Sequence, residues 1–395
     1  MDLQSYISYT THLMRCSFND EQPKPLPDGM SVEKLFRFCQ THQIENTVYY
    51  AIKKLELSQK ELALFESAHF AGVVIDANQE DALKKVSKLF EENEIEYLVL
   101  KGGVIKALYP TKDMRQAADI DIYIGEKNAL KAKTLMLDCG FKTDENLFGV
   151  DVDDSYTYGA YVNVELHRKM LPDVYKWKKE CSQILKRLTK KSDSNYALRM
   201  SKEDFYVYMI IHIAKHMHLS GCGIRSVFDI WVYLEKYKDS LDEQAIYQSL
   251  QNCQLDAFEK NMRRLAYLWF GDEGTKDELL EELGYHIAVG GWLGRPEYRN
   301  AKYIAENYAD SKKHGLSKAK YIFSMIFLDY DRMSKKYSIL NKYKFLLPVF
   351  WVVRIIEGIT RKKSKIQNLD SKTDSLQREI ALGKKMLDFD KRIGL

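Results

Sequence analysis

The sequence lacks the marks of a secreted or membrane-spanning protein. Its six cysteines fall at irregular spacings and none forms a CxxC pair, so we expect free thiols in a reducing compartment. The first residues, MDLQSYISYTTHLMRC, show no basic segment followed by an apolar stretch, as a signal peptide would. No run reaches the roughly 18 apolar residues that span a bilayer. These absences predict a cytoplasmic protein.

A strong overall charge is also missing. The 60 basic and 56 acidic residues give a net charge of +4, which gives no strong signal for nucleic-acid binding. The charge is uneven, because residues 341–395 hold 13 Lys and Arg against 6 Asp and Glu. The C-terminus is therefore a basic tail on a nearly neutral body. With 395 residues, 45% of them hydrophobic, the chain can form two or three domains with a sizeable core.

The hydrophobic period changes along the chain and predicts an α+β fold. Helical spacing dominates up to about residue 94 and again after about residue 175. Between them, EYLVL at 96–100, DIDIYI at 119–124 and YVNVELH at 161–167 favour strands, since apolar and polar residues alternate in the last two.

Acidic residues occupy the polar face of two of these predicted strands. Asp119 and Asp121 are two residues apart, so both side chains leave the same face of the strand. Glu165 and His167 share the polar face of the later strand. Carboxylates this close repel each other unless a cation lies between them, and Mg²⁺ binds in proteins through one or two carboxylates plus substrate phosphates. His167 can hydrogen-bond a carboxylate, contact substrate, or simply end the strand.

A phosphate-binding segment can be predicted just upstream. Lys101, Gly102 and Gly103 follow the first predicted strand and precede a helical turn. Glycine permits close backbone approach, and free N–H groups at a helix start favour phosphate. Lys101 and Arg115 can add positive charge, although Arg115 can equally form a surface ion pair with a nearby Asp.

These motifs together resemble a known family. The run LVLKGG…ALYP…R…ADIDIYI…VNVELH is similar to the bacterial uncharacterised nucleotidyltransferases of the polymerase-β-like superfamily. The resemblance extends over about 83–356 and is most specific over 98–125 and 162–168. Two departures are that Lys101 precedes the glycines and that Gly103 stands where many superfamily members carry Ser.

The resemblance implies roles for the matching positions. Asp119 and Asp121 would be metal ligands, and Glu165 the third carboxylate and the general base. Gly102 and Gly103 would cradle phosphate. The implied fold is a small mixed-sheet nucleotidyltransferase core flanked by N-terminal helices and a larger C-terminal helical domain. The predicted segments are an N-terminal helical region at 1–80, the core at 81–175, a helical domain at 176–340 and a basic helical tail at 341–395.

Histidines in the helical half leave two interpretations open. His212, His216 and His218 have helical spacing, which allows either a zinc site or a position lining the nucleotide cleft. No Glu lies between the first two as HExxH would require, which makes zinc the weaker of the two interpretations, and the sequence does not assign a role to these histidines. Arg225 and Asp229 are four residues apart, the spacing of an ordinary helical ion pair.

The basic tail also allows two interpretations. Residues 342–365 combine an apolar run with a basic cluster, as does a helix at an anionic membrane surface. The same segment can instead pack on the helical domain, which we favour.

The predicted function is transfer of a nucleoside monophosphate from an NTP, ATP among the candidates, to a hydroxyl or phosphate of an acceptor. Mg²⁺ or Mn²⁺ is the expected cofactor. The partners are the NTP and an acceptor that the sequence does not identify, whether a small molecule, a glycan or a protein. The alternative is a non-catalytic nucleotide-binding or regulatory module on the same scaffold, toxin–antitoxin-like or polysaccharide-associated, since fold does not fix function.

Overall fold

The structure is a computed structural model, and it describes residues 2–143, 153–271, 274–292, 294–308, 327, 330, 333–334, 337, 339–361 and 369–395. Side chains at 307–308, 341, 355–361 and 369–376 are outside this description. The chain forms two compact units. The first contains the described residues up to 295 together with 392–395, and the second those from 296 to 391.

A mixed sheet forms the centre of the first unit. Its strands are β1 (Tyr97–Val99), β2 (Ile120–Tyr123), β3 (Asp153–Tyr158), β4 (Val162–His167), β5 (Thr189–Lys190) and β6 (Ala197–Arg199). Their order across the sheet is β3-β4-β2-β1-β6-β5. β2 runs parallel to β4, and β1 parallel to β6; the other neighbours are antiparallel. The predicted α+β class is confirmed.

The helices are divided between the two units and are numbered in chain order. The first unit holds α1 (Leu3–Asn19), α2 (Val32–His42), α3 (Glu45–Ile52), α4 (Gln59–Glu92), α5 (Lys101–Ile105), α6 (Ala129–Asp138), α7 (Lys178–Lys186), α8 (Lys202–Leu219), α9 (Ile224–Tyr237), α10 (Glu243–Asn252), α11 (Asp256–Phe270) and α12 (Glu278–Gly290). The second holds α13 (Pro296–Tyr308), α14 (Ile339–Lys342), α15 (Leu347–Arg361) and most of α16 (Leu369–Ile393).

One face of the sheet is apolar because isoleucine occupies alternate positions of β2. Ile120, Ile122 and Ile124 are buried, and they belong to one core with Val86 and Phe90 of α4. Helix α4 starts at a capping box in which Ser58 and Glu61 satisfy each other's backbone N–H groups. The opposite face of β2 is thereby left for Asp121, which alternates with the isoleucines, and Asp119 directly precedes the strand.

Short strands after residue 175 were not predicted. β6 has three residues and β5 two, too few to show an alternating pattern, and β6 joins the sheet by pairing with β1. The sheet thus extends into the segment predicted as helical, and α4 runs without a break across residue 80. The division into four segments stays a prediction.

The second unit contains a buried ion pair between α13 and α16. Lys302 Nζ lies 2.6 Å from Asp390 Oδ2, and both residues are buried. The basic cluster at 362–368 lies outside the described residues. Among the described helices, none combines the length and apolar character needed to cross a membrane.

Candidate active site

The centre of the site is a pair of carboxylates on neighbouring parallel strands. The register places Asp121 of β2 directly beside Glu165 of β4. Side chains at paired positions leave the same face of a sheet, so both carboxylates project from the face opposite the isoleucine core. Asp121 is 3% exposed. The backbone around it is fixed too, because its carbonyl accepts the N–H of Leu100 at 2.9 Å.

His167 connects the acidic groups. Its Nε2 lies 2.8 Å from Asp121 Oδ1 and 3.7 Å from Glu165 Oε2. Its Nδ1 lies 3.7 Å from Oδ2 of Asp153, the residue opposite it on β3. The imidazole therefore lies among three carboxylates, closest to Asp121.

Asp119, Asp121, Asp153 and Glu165 form an acidic cluster, and its negative charge changes how these carboxyl groups ionise. Burial, and then the charges of Asp119, Asp121 and Asp153, raise the pKa of Glu165 to about 7. Burial, and then Asp121, raise the pKa of Asp119. For Asp121, burial opposes ionisation, but Lys101 and His167 outweigh it and hold the pKa below its usual range.

Lys101 forms an ion pair with this cluster. Its Nζ lies 3.3 Å from Asp121 Oδ2 and donates to His212 Nε2 at 2.9 Å. His216 Nε2 lies 3.1 Å from the same His212 nitrogen. Burial, and then the charge of Lys101, lower the pKa of His212 well below its usual range; burial, and then Lys215, lower that of His216 to about 3. Both imidazoles are therefore neutral near pH 7.

Lys215, which lies on α8, is a second lysine that interacts electrostatically with the same acidic groups. Burial, and then the charge of Lys101, lower the pKa of Lys215, while Asp121, Asp153 and Glu165 act in the opposite direction. Lys101 of α5 and Lys215 of α8 thus both interact electrostatically with the cluster.

The two glycines of α5 have different surroundings. A Cβ at Gly103 would lie 2.5 Å from Val99 Cγ1, so packing against β1 explains a glycine there. The Gly103 N–H is also used, since it donates to Leu100 O at 3.2 Å. A Cβ at Gly102 would make ordinary contacts with Arg115 and Ala117, at 3.6 and 3.8 Å.

Arg115 makes a buried ion pair instead of the surface pair considered from the sequence. Its Nε and Nη2 donate to the two carboxylate oxygens of Asp229 at 2.9 and 2.7 Å, and Tyr109 Oη donates to the same carboxylate at 2.7 Å.

Arg225 does not form the pair with Asp229 that its spacing predicted. It donates instead to Gln116 O at 2.7 Å and to Gln43 Oε1 at 3.0 Å. Burial, and then Arg115, lower the pKa of Arg225 to about 10.

A polar cavity of about 150 Å³ lies over these residues. Its lining includes Lys101, Asp119, Asp121, His212, His216 and Arg225. A larger, mostly apolar cavity of about 450 Å³ lies between α4 and α5. Gly102, Ala117 and Asp119 line both cavities. We call them the polar cavity and the apolar cavity.

The structure brings together most residues that the sequence predicted. Asp121, Glu165 and His167 offer ligand atoms within 4.8 Å of one another and form the one such group of His, Cys, Asp and Glu among the described residues. Asp119 is not in that group, but it lines the polar cavity with Lys101. His212 and His216 line the same cavity and do not form a three-residue zinc group with His218.

Three residues at or beside the site were missed from the sequence. Asp153 lies in an acidic run and is the first residue of β3, Lys215 falls between two histidines of α8, and Asp229 was expected to pair with Arg225. Only the DxDDSYTY run around Asp153 carried a usable signal, since its last residues alternate as a strand does.

The donor groups fit a divalent cation. Two carboxylates lie side by side on paired strands, and burial, followed by the charges of Asp119, Asp121 and Asp153, raises the pKa of Glu165. Oxygen-rich acidic groups of this kind suit Mg²⁺ or Mn²⁺, and an adjoining imidazole is more compatible with Mn²⁺.

Comparison with known proteins decides the family. The model of one protein family, described as uncharacterised nucleotidyltransferase, matches residues 28–271, more than half of the chain. The chain belongs to this nucleotidyltransferase family. The match includes all six strands and every residue of the acidic cluster. No curated protein and no solved structure matches the chain.

Proposed function

We propose that this nucleotidyltransferase moves a nucleoside monophosphate from an NTP to a hydroxyl or phosphate oxygen of an acceptor. The observation that carries the proposal is the pairing of Asp121 with Glu165 on parallel strands, beside a cavity lined by Lys101 and Arg225. The order of strand, Gly-Gly, Asp-x-Asp and later carboxylate supports a place in the polymerase-β-like superfamily.

The carboxylates of Asp119, Asp121 and Glu165 would hold the metal, Mg²⁺ or Mn²⁺. A bound divalent cation would offset the negative charge of the triphosphate and of the pyrophosphate that leaves. His167 serves this arrangement by holding Asp121 Oδ1 through its Nε2–H, while Oδ2 faces Lys101.

The polar cavity would bind the phosphate groups. Lys101 and Arg225 supply positive charge, and the bonds from Lys101 to His212 and from Arg225 to Gln116 orient them. Because His212 is neutral, it accepts from Lys101 without adding a charge that would repel it.

Glu165 would take the proton of the acceptor. Its carboxylate lies directly beside Asp121 on the paired strand, within reach of an oxygen that approaches the metal site. The acceptor oxygen bonds to the α-phosphorus, the bond from that phosphorus to the bridging oxygen breaks, and pyrophosphate leaves. The acceptor's proton goes to a Glu165 oxygen.

Two radioactive labels test the reaction. The protein is incubated with Mg²⁺ and cell extract, as the source of acceptor, with each NTP labelled at the α- or the γ-phosphorus. We expect the α-label on an acceptor and the γ-label in pyrophosphate, with neither in Glu165→Gln. Transfer of the γ-label would instead show a phosphotransferase and contradict the proposal.

The same experiment separates the alternative function. A regulatory module would bind an NTP without moving either label, and Glu165→Gln would bind it as well as the wild type does. The intact set of carboxylates favours the enzyme.

Membrane contact through the tail is a second proposal, independent of the first. Phe345, Val349 and Val352 are more than half exposed, and Lys342 and Lys344 beside them are exposed. Apolar and basic side chains of this kind suit an anionic lipid surface. Flotation with phosphatidylserine vesicles should fall for the triple Asp variant of the three apolar residues but not for Lys384→Gln; equal flotation would reject membrane contact.

A further inference from the structure

We propose that the apolar cavity between α4 and α5 binds the nucleoside part of the NTP. This inference rests on the proposed function and adds the place where the base and ribose lie. It starts from Asp119, Gly102 and Ala117, which line both cavities and so bring them together beside the acidic cluster.

The charges of the two cavities differ in kind. In the apolar cavity each lysine faces a carboxylate: Lys106 bonds Asp76, Lys112 Nζ lies 2.9 Å from Glu80, and Lys84 Nζ lies 3.5 Å from Glu80. Lys84 and Lys112 share Glu80, and Asp119 also lines the cavity, so its three lysines are offset by three carboxylates. The apolar cavity therefore offers little attraction to phosphate.

The polar cavity has the opposite character. Arg115 is matched by Asp229, but Arg225 is bound to neutral oxygens of Gln43 and Gln116. Lys101 shares Asp121 with His167 and faces a neutral imidazole on its other side. With a divalent cation on Asp119 and Asp121, the polar cavity would therefore suit an anion, as a polyphosphate requires.

Size supports the same division. The polar cavity, at about 150 Å³, is small for a whole nucleotide, whereas the apolar cavity, at about 450 Å³, falls in the range of small-molecule sites. Leu83, Ala107 and Ile120 contribute apolar wall, against which a flat base can pack. A molecule lying across both cavities would have its neutral half beside α4 and its phosphates beside Lys101.

Gly102 lies where the two halves would join. It has no side chain, and a Cβ there would point toward Arg115 and Ala117. Asp119 lies at the same junction and carries one of the carboxylates proposed for the metal. The α-phosphate, which links the two halves of an NTP, would thus lie next to the acidic cluster.

The test compares an NTP with inorganic tripolyphosphate, which has the phosphates but no nucleoside. Ala107→Trp fills the apolar cavity from an exposed position, and Leu83→Trp fills it from α4. Val104→Trp is the matched control, because Val104 is exposed on α5 and lines neither cavity. Binding to the full chain with Mg²⁺ is measured by titration calorimetry.

We expect the wild type to bind at least one NTP more tightly than tripolyphosphate. Either filling variant that keeps the wild-type melting temperature should lose at least about tenfold in NTP affinity and keep its tripolyphosphate affinity; Val104→Trp should change neither. If NTP affinity is unchanged in both filling variants, the inference is overturned. If these variants also lose transfer of the nucleoside monophosphate, the apolar cavity binds the acceptor instead. If the wild type binds neither compound, the proposed function fails as well.

Discussion

His167 and Asp121 form a hydrogen bond of 2.8 Å between neighbouring parallel strands, from Nε2 to Oδ1. His167 lies two residues beyond Glu165 on β4, so its side chain leaves the same face of the sheet as the Glu165 carboxylate. The strand register that aligns Asp121 with Glu165 therefore also places the imidazole beside Asp121. His167 is in this account a positioning residue that fixes the orientation of a buried carboxylate.

Replacing His167 should weaken metal binding. His167→Ala is expected to lower the affinity for both Mg²⁺ and Mn²⁺ by about 10–100-fold, since Asp121 loses its orienting donor. His167→Gln, which keeps an N–H donor, should recover most of the loss. Calorimetric titration of each metal gives the affinities, with His12→Gln in α1 as the control. If Gln fails to recover Mn²⁺ binding while Mg²⁺ binding stays normal, the imidazole is itself a ligand.

Neutralising Glu165 should stabilise the metal-free protein. The folded pKa of about 7 exceeds the ordinary value of 4.5, so the folded state holds this proton more tightly. The corresponding stability is complete below about pH 4.5 and is lost as the pH rises through 7. Between pH 5 and 8, Glu165→Gln should therefore gain about 1–3 kcal/mol over the wild type in the free energy of unfolding.

Urea unfolding at both pH values measures this gain. Saturating Mg²⁺ should reverse it, because the cation stabilises the wild type alone. A Glu165→Gln variant that is equally stable or less stable at pH 8 without metal would show that the carboxylates do not repel one another as described.

Breaking the buried Arg115–Asp229 ion pair should destabilise the folded protein strongly. Both groups are buried, and Asp229→Asn would leave a buried guanidinium without its counter-charge. We expect a loss of about 3–5 kcal/mol in the free energy of unfolding. Glu33→Gln, which breaks the exposed Arg37–Glu33 pair at 2.6 Å, should cost less than about 1 kcal/mol. Equal losses in urea unfolding would contradict the difference in burial.

His42 should make the protein sensitive to acid. Its Nδ1 accepts from Ile224 N at 3.3 Å and its Nε2 donates to Ala288 O at 3.1 Å, and burial lowers its pKa to about 4. The unfolded histidine binds a proton near pH 6.5 while the folded one does not, so stability falls between pH 6.5 and 4. The total from this residue is about 3 kcal/mol at most.

His42→Gln can keep both hydrogen bonds but does not titrate. Its free energy of unfolding should decline less steeply between pH 6.5 and 4.5 than that of the wild type. Parallel curves for the two proteins would mean that acid acts elsewhere.

The sequence was sufficient for elements with a clear period. β2 and β4 alternate strictly, so periodicity alone assigns their inward isoleucines and valines and their acidic faces. β6 could not be assigned in this way, because three residues show no period and its place beside β1 depends on a partner about a hundred residues away. The carboxylates were predictable for the same reason as the strands.

Long-range partners were the part that could not be predicted. The i,i+4 spacing of Arg225 and Asp229 indicated a local pair, but a guanidinium 114 residues away binds Asp229 with two hydrogen bonds. Lys215 gave no signal either, since a lysine between two histidines on a helix is equally suited to solvent. Such partners depend on how the helices pack, which periodicity does not encode.

The most direct measurement is the thermal unfolding of the wild type and Asp121→Asn with each of the four NTPs, with and without Mg²⁺ or Mn²⁺. We predict that at least one NTP raises the melting temperature of the wild type only when metal is present, and that Asp121→Asn loses this shift. A shift of equal size in Asp121→Asn, or one that needs no metal, would contradict the claim that the acidic cluster binds a metal-bound nucleotide.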